Sequence, residues 1–275
     1  MTSLPYVHGY SPRESVRLRD QAQTLAELLH RDERFPPGTR VLEAGCGTGA
    51  QTVILARNNP AVDFLSVDIS PDSLVQARRA VTQAGLVNVQ FEQADLFRLP
   101  FADGTFDAVF VCFVLEHLRD PLGALAGLQR VLRPGGAITV IEGDHGSAYF
   151  HPDSILAQKT IQCLVDLQHA DGGDALIGRQ LYPLLHRAGL TEIDVSPRVV
   201  YADPGQPEMV DGFTRNTFIA MVEGVGEKAV GTGMMDPASW RQGIEDLRAT
   251  AGPEGVFNYT FFKARALKAG DPVAY

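Results

Sequence analysis

Cysteine is scarce: Cys46, Cys112 and Cys163 are the only three in 275 residues. No two of them form a C-x-x-C pair, so neither a disulfide framework nor a zinc ribbon is expected. Positive charge is also short. Lys and Arg number 24 against 33 Asp and Glu, for a formal net charge of -9. A nucleic-acid binder normally shows a basic surface, and Lys and Arg form no long run here, so no nucleic-acid partner is expected. Long apolar stretches are missing too. None reaches the roughly 18 residues of a membrane span, and Met1-Thr2-Ser3-Leu4-Pro5-Tyr6 has neither the basic flank nor the apolar run of a signal peptide. The expectation is a cytoplasmic protein with no membrane partner. There is no internal repeat and no low-complexity tract. What is present is an ordinary globular balance, 45% hydrophobic and 21% charged, on a chain long enough for one large domain or a domain with a cap.

The pattern predicts strands over 40–44, 62–67, 88–92, 106–112 and 136–142, with helices over 50–58, 71–84 and 121–132 between them. Ser70-Pro71-Asp72 is a strong helix start and Gly85 a fitting stop. Such alternation argues for a parallel sheet with helices on both faces. An amphipathic helix over 11–30 precedes it. After Glu142 the rhythm changes. Residues 143–153 are rich in Gly, His and aromatics. Helices are expected over 154–170, 175–188, near 207–223 and near 237–250, and strands over 191–202 and 256–263.

The most informative stretch is Val41-Leu42-Glu43-Ala44-Gly45-Cys46-Gly47-Thr48-Gly49. A short β-forming run ends in an acid and three alternating glycines, which reads as strand, sharp turn and helix start. Without Cβ atoms there, a flat or charged ligand can lie against bare backbone. The turn alone is a weak signal, and Gly45-x-Gly47-x-x-Ala50 also satisfies the relaxed dinucleotide fingerprint. Asp68 ends the second strand about 20 residues on, where an acid accepts hydrogen bonds from ribose hydroxyls. Asp95, in Gln93-Ala94-Asp95-Leu96, either accepts from an adenine amino group, with backbone of Ala94 and Leu96 facing the ring edge, or is a turn residue. Phe106 to Leu118 reads as a fully buried strand that ends in a loop with polar tips, Glu116-His117 among them. Leu132-Arg133-Pro134-Gly135-Gly136 reads as a tight turn back into the sheet.

Together these pieces, over residues 40–142, closely resemble the class I S-adenosylmethionine-dependent methyltransferases, in the subgroup that resembles quinone-biosynthesis and small-molecule methyltransferases. The resemblance implies an α/β fold, a doubly wound Rossmann-like sheet of seven mostly parallel strands with an antiparallel last strand, plus a helical cap over the substrate pocket. It implies an N-terminal helical lid over 1–35 and a methyltransferase domain over 36–275, with cap insertions at about 143–175 and 203–250. The implied cofactor is S-adenosylmethionine. Gly45, Cys46, Gly47 and Gly49 would let backbone approach its methionyl end, and Glu43 would order that turn or the ammonium group. Asp68 would hold the ribose, with Ile69 beside it, and Asp95 the adenine amino group. Cys112 and Phe113 would line the methionyl and sulfonium region. Tyr10 and Gln21 are lid contacts or helix-packing residues.

The sulfonium carries an activated methyl group, so the enzyme mainly holds a nucleophile in line and excludes water. A base is needed only if that nucleophile is protonated. His117 counts among the cofactor-site positions, and a structural role in its turn is favoured over a role as base. The segment from Glu142 to His151 leaves the carboxyl end of strand five, where open α/β sheets place ligands. His145 is the first choice there for base or substrate hydrogen bond, and Tyr149 the second. No metal is expected, because Glu142, His145 and His151 lack tight ligand spacing. Phe213, Phe218, Met221, Met234, Met235 and Trp240 either line the acceptor pocket or pack the core. The expected function is methyl transfer to a small organic acceptor at O, N or C, aromatic or lipophilic and of the natural-product kind. A homodimer is compatible with this reading. The alternatives are an NAD-dependent oxidoreductase and a non-catalytic S-adenosylmethionine-binding module.

Overall fold

The computed structural model describes residues 12–270. Seven strands form one sheet in the order β3-β2-β1-β4-β5-β7-β6. They are β1 (Arg40–Ala44), β2 (Asp63–Asp68), β3 (Val89–Gln93), β4 (Phe106–Cys112), β5 (Leu132–His151), β6 (Leu190–Ala202) and β7 (Val256–Lys268). β1 pairs in parallel with β2 and β4, β2 with β3, and β4 with β5. The last two strands run antiparallel to each other. Thr191 Oγ1 donates to Leu267 O while Ser196 Oγ donates to Lys263 O, so one strand rises as the other falls. The expected Rossmann-like sheet with an antiparallel last strand and flanking helices is therefore what the chain forms.

The chain divides into two compact units. The sheet unit comprises Ala26–Glu142, Ile177–Pro197 and the chain from Phe262. In it α2 (Ala50–Asn58), α3 (Pro71–Gln83), α4 (Pro121–Val131) and α6 (Leu181–Arg187) follow or precede strands. Helix starts obey local chemistry. Ser70 Oγ accepts from Ser73 N–H at 3.2 Å and Asp120 Oδ1 from Gly123 N–H at 2.8 Å, each with proline as the next residue. The core joins Leu42, Val109, Val111, Leu125, Leu128 and Val140. β1 and β4 read as near-continuous apolar runs because helices cover parallel strands on both faces.

The turn expected at Arg133-Pro134-Gly135-Gly136 is a bulge inside β5. Phe106 pairs with Leu132 and Ala108 with Ala137, so the single residue Asp107 of β4 faces four of β5, 133–136. Asp107 secures it. One of its oxygens accepts from Arg133 Nε at 2.7 Å and the other from Arg40 N–H at 2.8 Å. These donors hold the Asp107 carboxyl below its usual pKa, the Arg40 amide being the larger cause.

Two basic-acidic contacts close the start of this unit. Lys263 Nζ, on β7, lies 2.8 Å from Asp32 and 2.7 Å from Glu33, and donates to Leu29 O. The other oxygen of Glu33 accepts from Thr139 Oγ1.

Among the described residues the helical unit comprises Pro12–Leu25, Gly143–Leu176 and Arg198–Phe261. α5 (Ile155–Ala170) and α10 (Pro237–Ala249) cross closely, because a Cβ on Gly243 would lie 2.7 Å from Leu156 O. The helix expected near 207–223 has a mixed winding. Residues Pro207–Met209 and Ala220–Gly224 are α-helical, and the ten between them, Val210–Ile219, form a π-helix. Such runs are rare and occur mostly as single turns. This one delivers Phe213 and Phe218 into a cluster with Phe257, Tyr259 and Phe261. Met221, Met235 and Trp240 are buried as well.

Candidate functional site

Strand order reverses at β1, which lies between β2 and β4. Open α/β sheets bind ligands at such a switch point, outside the carboxyl ends of the strands. The loops there are the glycine turn after β1 and the Phe113–Leu118 segment after β4.

The three glycines of the turn all have positive φ, and they do different work. A Cβ on Gly45 would lie 2.6 Å from Val114 Cγ2, so this glycine lets the loop after β4 pack onto the turn. A Cβ on Gly49 would lie 2.8 Å from Ala77 Cα, so that glycine lets α3 approach. A Cβ on Gly47 would meet nothing within 4 Å. Only Gly47 faces open space. Gly49 also begins α2 in a left-handed conformation without a side-chain cap, which leaves the first amides of that helix available for an anionic group. Thr48 Oγ1 is buried with no hydrogen-bond partner among the described residues.

Glu43 is buried, and its Oε2 accepts from Thr52 Oγ1 at 2.7 Å and Ser66 Oγ at 2.6 Å. It ties the end of β1 to α2 and β2. Burial pushes its pKa up to about 7 against the opposing hydroxyls. Asp68 works in the same region. Its Oδ2 accepts from Gly47 N–H and its Oδ1 from Ser70 N–H, both at 2.8 Å. Burial raises its pKa, partly offset by those amides. The Ile69 amide acts on the same carboxylate, whose two oxygens together still have acceptor capacity for another donor. Asp95 Oδ1 accepts from Phe97 N–H at 2.9 Å and caps the short 3-10 turn Leu96–Arg98, so its turn role is realised. Ala94 N–H donates to Asp68 O, which keeps these two segments side by side. Ile69 and Phe97 expose 58% and 45% of their surface, leaving apolar area beside both acids. Leu96 is buried.

After β4, Cys112 is buried and its thiol is raised well above the usual range by burial and then by Glu142. Cys46 is buried too, and burial pushes its thiol up. Both are therefore thiols, not thiolates. Phe113 has φ 58. A left-handed bulky residue costs about 1–3 kcal/mol and persists only where its surroundings fix it. Phe113 N–H donates to Ile141 O, and the amides of Val114 and Leu115 donate to Glu142 Oε1 at 3.0 and 2.7 Å. His117 lies in the following turn, 3.7 Å from Glu116 Oε1.

In the helical unit His145 is buried. Its Nδ1 is 2.7 Å from Tyr259 Oη, and Phe218 meets its ring edge-on at 6.2 Å. Gly143 makes room for that phenol, since a Cβ there would lie 2.3 Å from Tyr259 Oη. Tyr149 is 64% exposed. Gln21 is half-buried on the helix Pro12–His30, and Tyr10 lies outside the described residues. Among the described residues no group of three His, Cys, Asp or Glu side chains is arranged to hold a metal ion. No helix among them is long and apolar enough to cross a membrane.

Sequence reasoning missed Thr48 Oγ1, the Thr52 and Ser66 partners of Glu43, the Glu142 contact to the loop after β4, and Tyr259. Only Glu142, an acid at the end of a buried strand, gave a signal.

Residues 42–140 match the family model for a methyltransferase domain. That stretch lies in the sheet unit and is similar to a methyltransferase domain over about a third of the chain. Among relatives, an uncharacterized 37.1 kDa protein in transposon TN4556 of Streptomyces fradiae is 33% identical over 220 residues, covering 79% of this chain and 59% of that one. The demethylmenaquinone methyltransferase of Thermus thermophilus is 40% identical over 103 residues, covering 38% and 46%. The chain thus spans about half the length of these curated relatives. The crystal structure of the [4+2]-cyclase SpnF superposes with a TM-score of 0.56 at 21% identity, covering 92% of this chain and 82% of that one. The likeness to the demethylmenaquinone methyltransferase covers only 38% of this chain and does not fix a subgroup.

Proposed function

We propose that this protein transfers the methyl group of S-adenosylmethionine to a small organic acceptor, aromatic or lipophilic, at oxygen, nitrogen or carbon. The observation that carries this reading is the turn at Gly47. It is open where its neighbours Gly45 and Gly49 are filled, and it has an unpartnered Thr48 hydroxyl and an uncapped helix start beside it. These features suit a small zwitterion: amides and a hydroxyl for its carboxylate, bare backbone for its close approach.

In this reading Gly45, Cys46, Gly47, Thr48 and Gly49 take the methionyl end. Asp68 takes the ribose hydroxyls and Asp95 the adenine amino group, with Ile69, Ala94 and Leu96 around the ring. Cys112, Phe113 and His117 belong to the methionyl and sulfonium side. Cys112 as a neutral thiol is not an alternative methyl acceptor. S-adenosylmethionine supplies a methyl group already activated on a sulfonium. The residues of this chain then orient the reactants, exclude water and receive a proton where the acceptor has one to lose. His145, three residues beyond Glu142, is our choice for that proton. Tyr149 is the second choice, and its exposure makes it the weaker. The net charge of -9 supports a small-molecule partner over a nucleic acid. A homodimer and a cytoplasmic setting remain part of the proposal.

A second reading is a protein of this fold that does other chemistry, or only binds. The likeness to a [4+2]-cyclase favours keeping it. Calorimetry with S-adenosylmethionine, S-adenosylhomocysteine and NAD separates these readings from an oxidoreductase. Gly47→Val fills space that no protein atom uses, and Asp68→Ala removes the ribose acceptor. Each is expected to weaken both methionine-derived ligands at least about tenfold, and unchanged affinity in both would sink the site assignment. Incubation of a cell extract with labelled methyl donor, parent protein or His145→Ala then tests transfer itself. A labelled product with the parent and much less with the variant is expected. No labelled product from any extract favours the second reading.

A further inference from the structure

We propose that Glu142 is a positioning residue for the methyl donor, acting through the loop after β4 on the face of the glycine turn. This rests on reading that turn as the donor site. The contacts form one chain within the sheet unit. The Glu142 side chain is fully buried midway along β5, level with the carboxyl end of β4. Its Oε1 accepts from Val114 N–H at 3.0 Å and from Leu115 N–H at 2.7 Å. Those amides lead into the 3-10 turn Leu115–His117, and helical turns leave their first amides without partners of their own. An acid from a neighbouring strand thus caps the turn. The cap sits directly after Phe113, whose left-handed backbone (φ 58) needs fixing from both sides. Phe113 N–H is held by Ile141 O, the residue before Glu142. Val114 then carries the effect onward, because its Cγ2 occupies the space a Gly45 Cβ would take, 2.6 Å away. Moving Val114 moves the packing surface under Gly45.

Two further observations fit positioning better than charge supply. Glu142 Oε2 is buried without a hydrogen-bond partner among the described residues, an arrangement an ionised carboxylate does not tolerate. Burial, and then the nearby Glu116, push the acid well above its usual pKa, toward its neutral form. A neutral carboxyl whose carbonyl oxygen accepts two amides is closely imitated by a glutamine.

The test is calorimetric binding of S-adenosylmethionine and S-adenosylhomocysteine to the full chain, for the parent, Glu142→Gln, Glu142→Leu and Glu142→Asp, each at a temperature well below its own melting point. Glu142→Gln keeps the acceptor and is expected to bind within about threefold of the parent. Glu142→Leu leaves two buried amides without an acceptor and is expected to lose about tenfold or more. Glu142→Asp withdraws the oxygen by one methylene and keeps the acid. It is expected to fall at least about fivefold, and it carries the test if the leucine variant does not fold. A purely structural role would lower the melting temperature of the leucine or aspartate variant and leave its affinity within threefold of the parent, which overturns the proposal. So would a glutamine variant as weak as the aspartate one. A parent that binds neither ligand overturns the donor-site reading itself and this proposal with it.

Discussion

Glu43 offers a sharp test of how the glycine turn after β1 is built. Its carboxyl is buried, accepts from Thr52 and Ser66, and has its pKa pushed from 4.5 up to about 7 by burial. The group is therefore neutral in the folded protein at pH values where it is ionised in the unfolded chain. A raised folded-state pKa contributes stability that is full below the unfolded value of 4.5 and is lost as pH climbs through about 7. Over that window the fold gives up about 1.4 kcal/mol per pH unit, or about 3 kcal/mol in all. Glu43→Gln keeps an oxygen for both hydroxyls and cannot ionise. The perturbation thus removes the titration and leaves the hydrogen bonds in place.

The assay is urea unfolding of parent and variant at pH 5, 7 and 9. Near pH 5 the two should agree within about 1 kcal/mol, and by pH 9 the variant should gain about 2–3 kcal/mol on the parent. Taking the difference between the proteins cancels every other titrating group. In thermal melts the same gain corresponds to roughly 5–10 °C. A stability difference that is the same at pH 5 and pH 9 would refute the reasoning, because Glu43 would then have the same protonation in both states. A constant loss added to the expected pH-dependent gain would show that glutamine weakens the Thr52 and Ser66 contacts as well.

Two other perturbations follow from the same geometry. Lys263→Met should cost about 3–5 kcal/mol, because it strips the cation from Glu33 where both side chains are only 7% exposed; adding Glu33→Gln should recover much of that in urea unfolding, and a double variant no more stable than the single one argues against the pair. Gly49→Ala should destabilise by more than 2 kcal/mol, since its Cβ strikes the backbone of Ala77 at 2.8 Å as well as straining a φ of 82, whereas Gly47→Ala should cost only the backbone strain, about 1 kcal/mol; equal melting temperatures for the two would contradict the division of labour among the glycines.

Much of this fold is legible from the residues because glycine, proline and the capping side chains punctuate it. The expected spans 40–44 and 106–112 are the observed β1 and β4, and 50–58 is α2. Each is bounded by a glycine, a proline or a polar turn that the backbone needs at that point. What is not legible has a common physical cause. The π-helix of Val210–Ile219 carries the same apolar spacing as an α-helix, so the pattern around Phe213 and Phe218 cannot distinguish them. β5 runs on to His151, and β7 to Lys268, past the apolar cores that were expected as strands. Partner strands supply hydrogen bonds to backbone whatever the side chains are. The Glu43–Ser66 and Glu142–Leu115 contacts join residues far apart in sequence. No local pattern can announce them.

The acids at this site show most clearly what a sequence leaves open. Glu43 and Glu142 lie in buried stretches of β1 and β5, and in a chain that resembles enzymes of a cationic cofactor the natural thought is counter-charge. Their surroundings say otherwise. Each is fully enclosed, each is pushed toward its neutral form, and each accepts two hydrogen bonds from the protein itself, Glu43 from hydroxyls and Glu142 from amides. Asp68 and Asp95 are less enclosed and keep acceptor capacity beyond their backbone contacts. The division follows depth. The buried acids build the turns, and the acids one step further out keep the acceptor capacity that the proposed donor site calls for. Removing charge from Glu43 or Glu142 while keeping an oxygen should therefore leave donor binding nearly intact, whereas removing the oxygens of Asp68 should not.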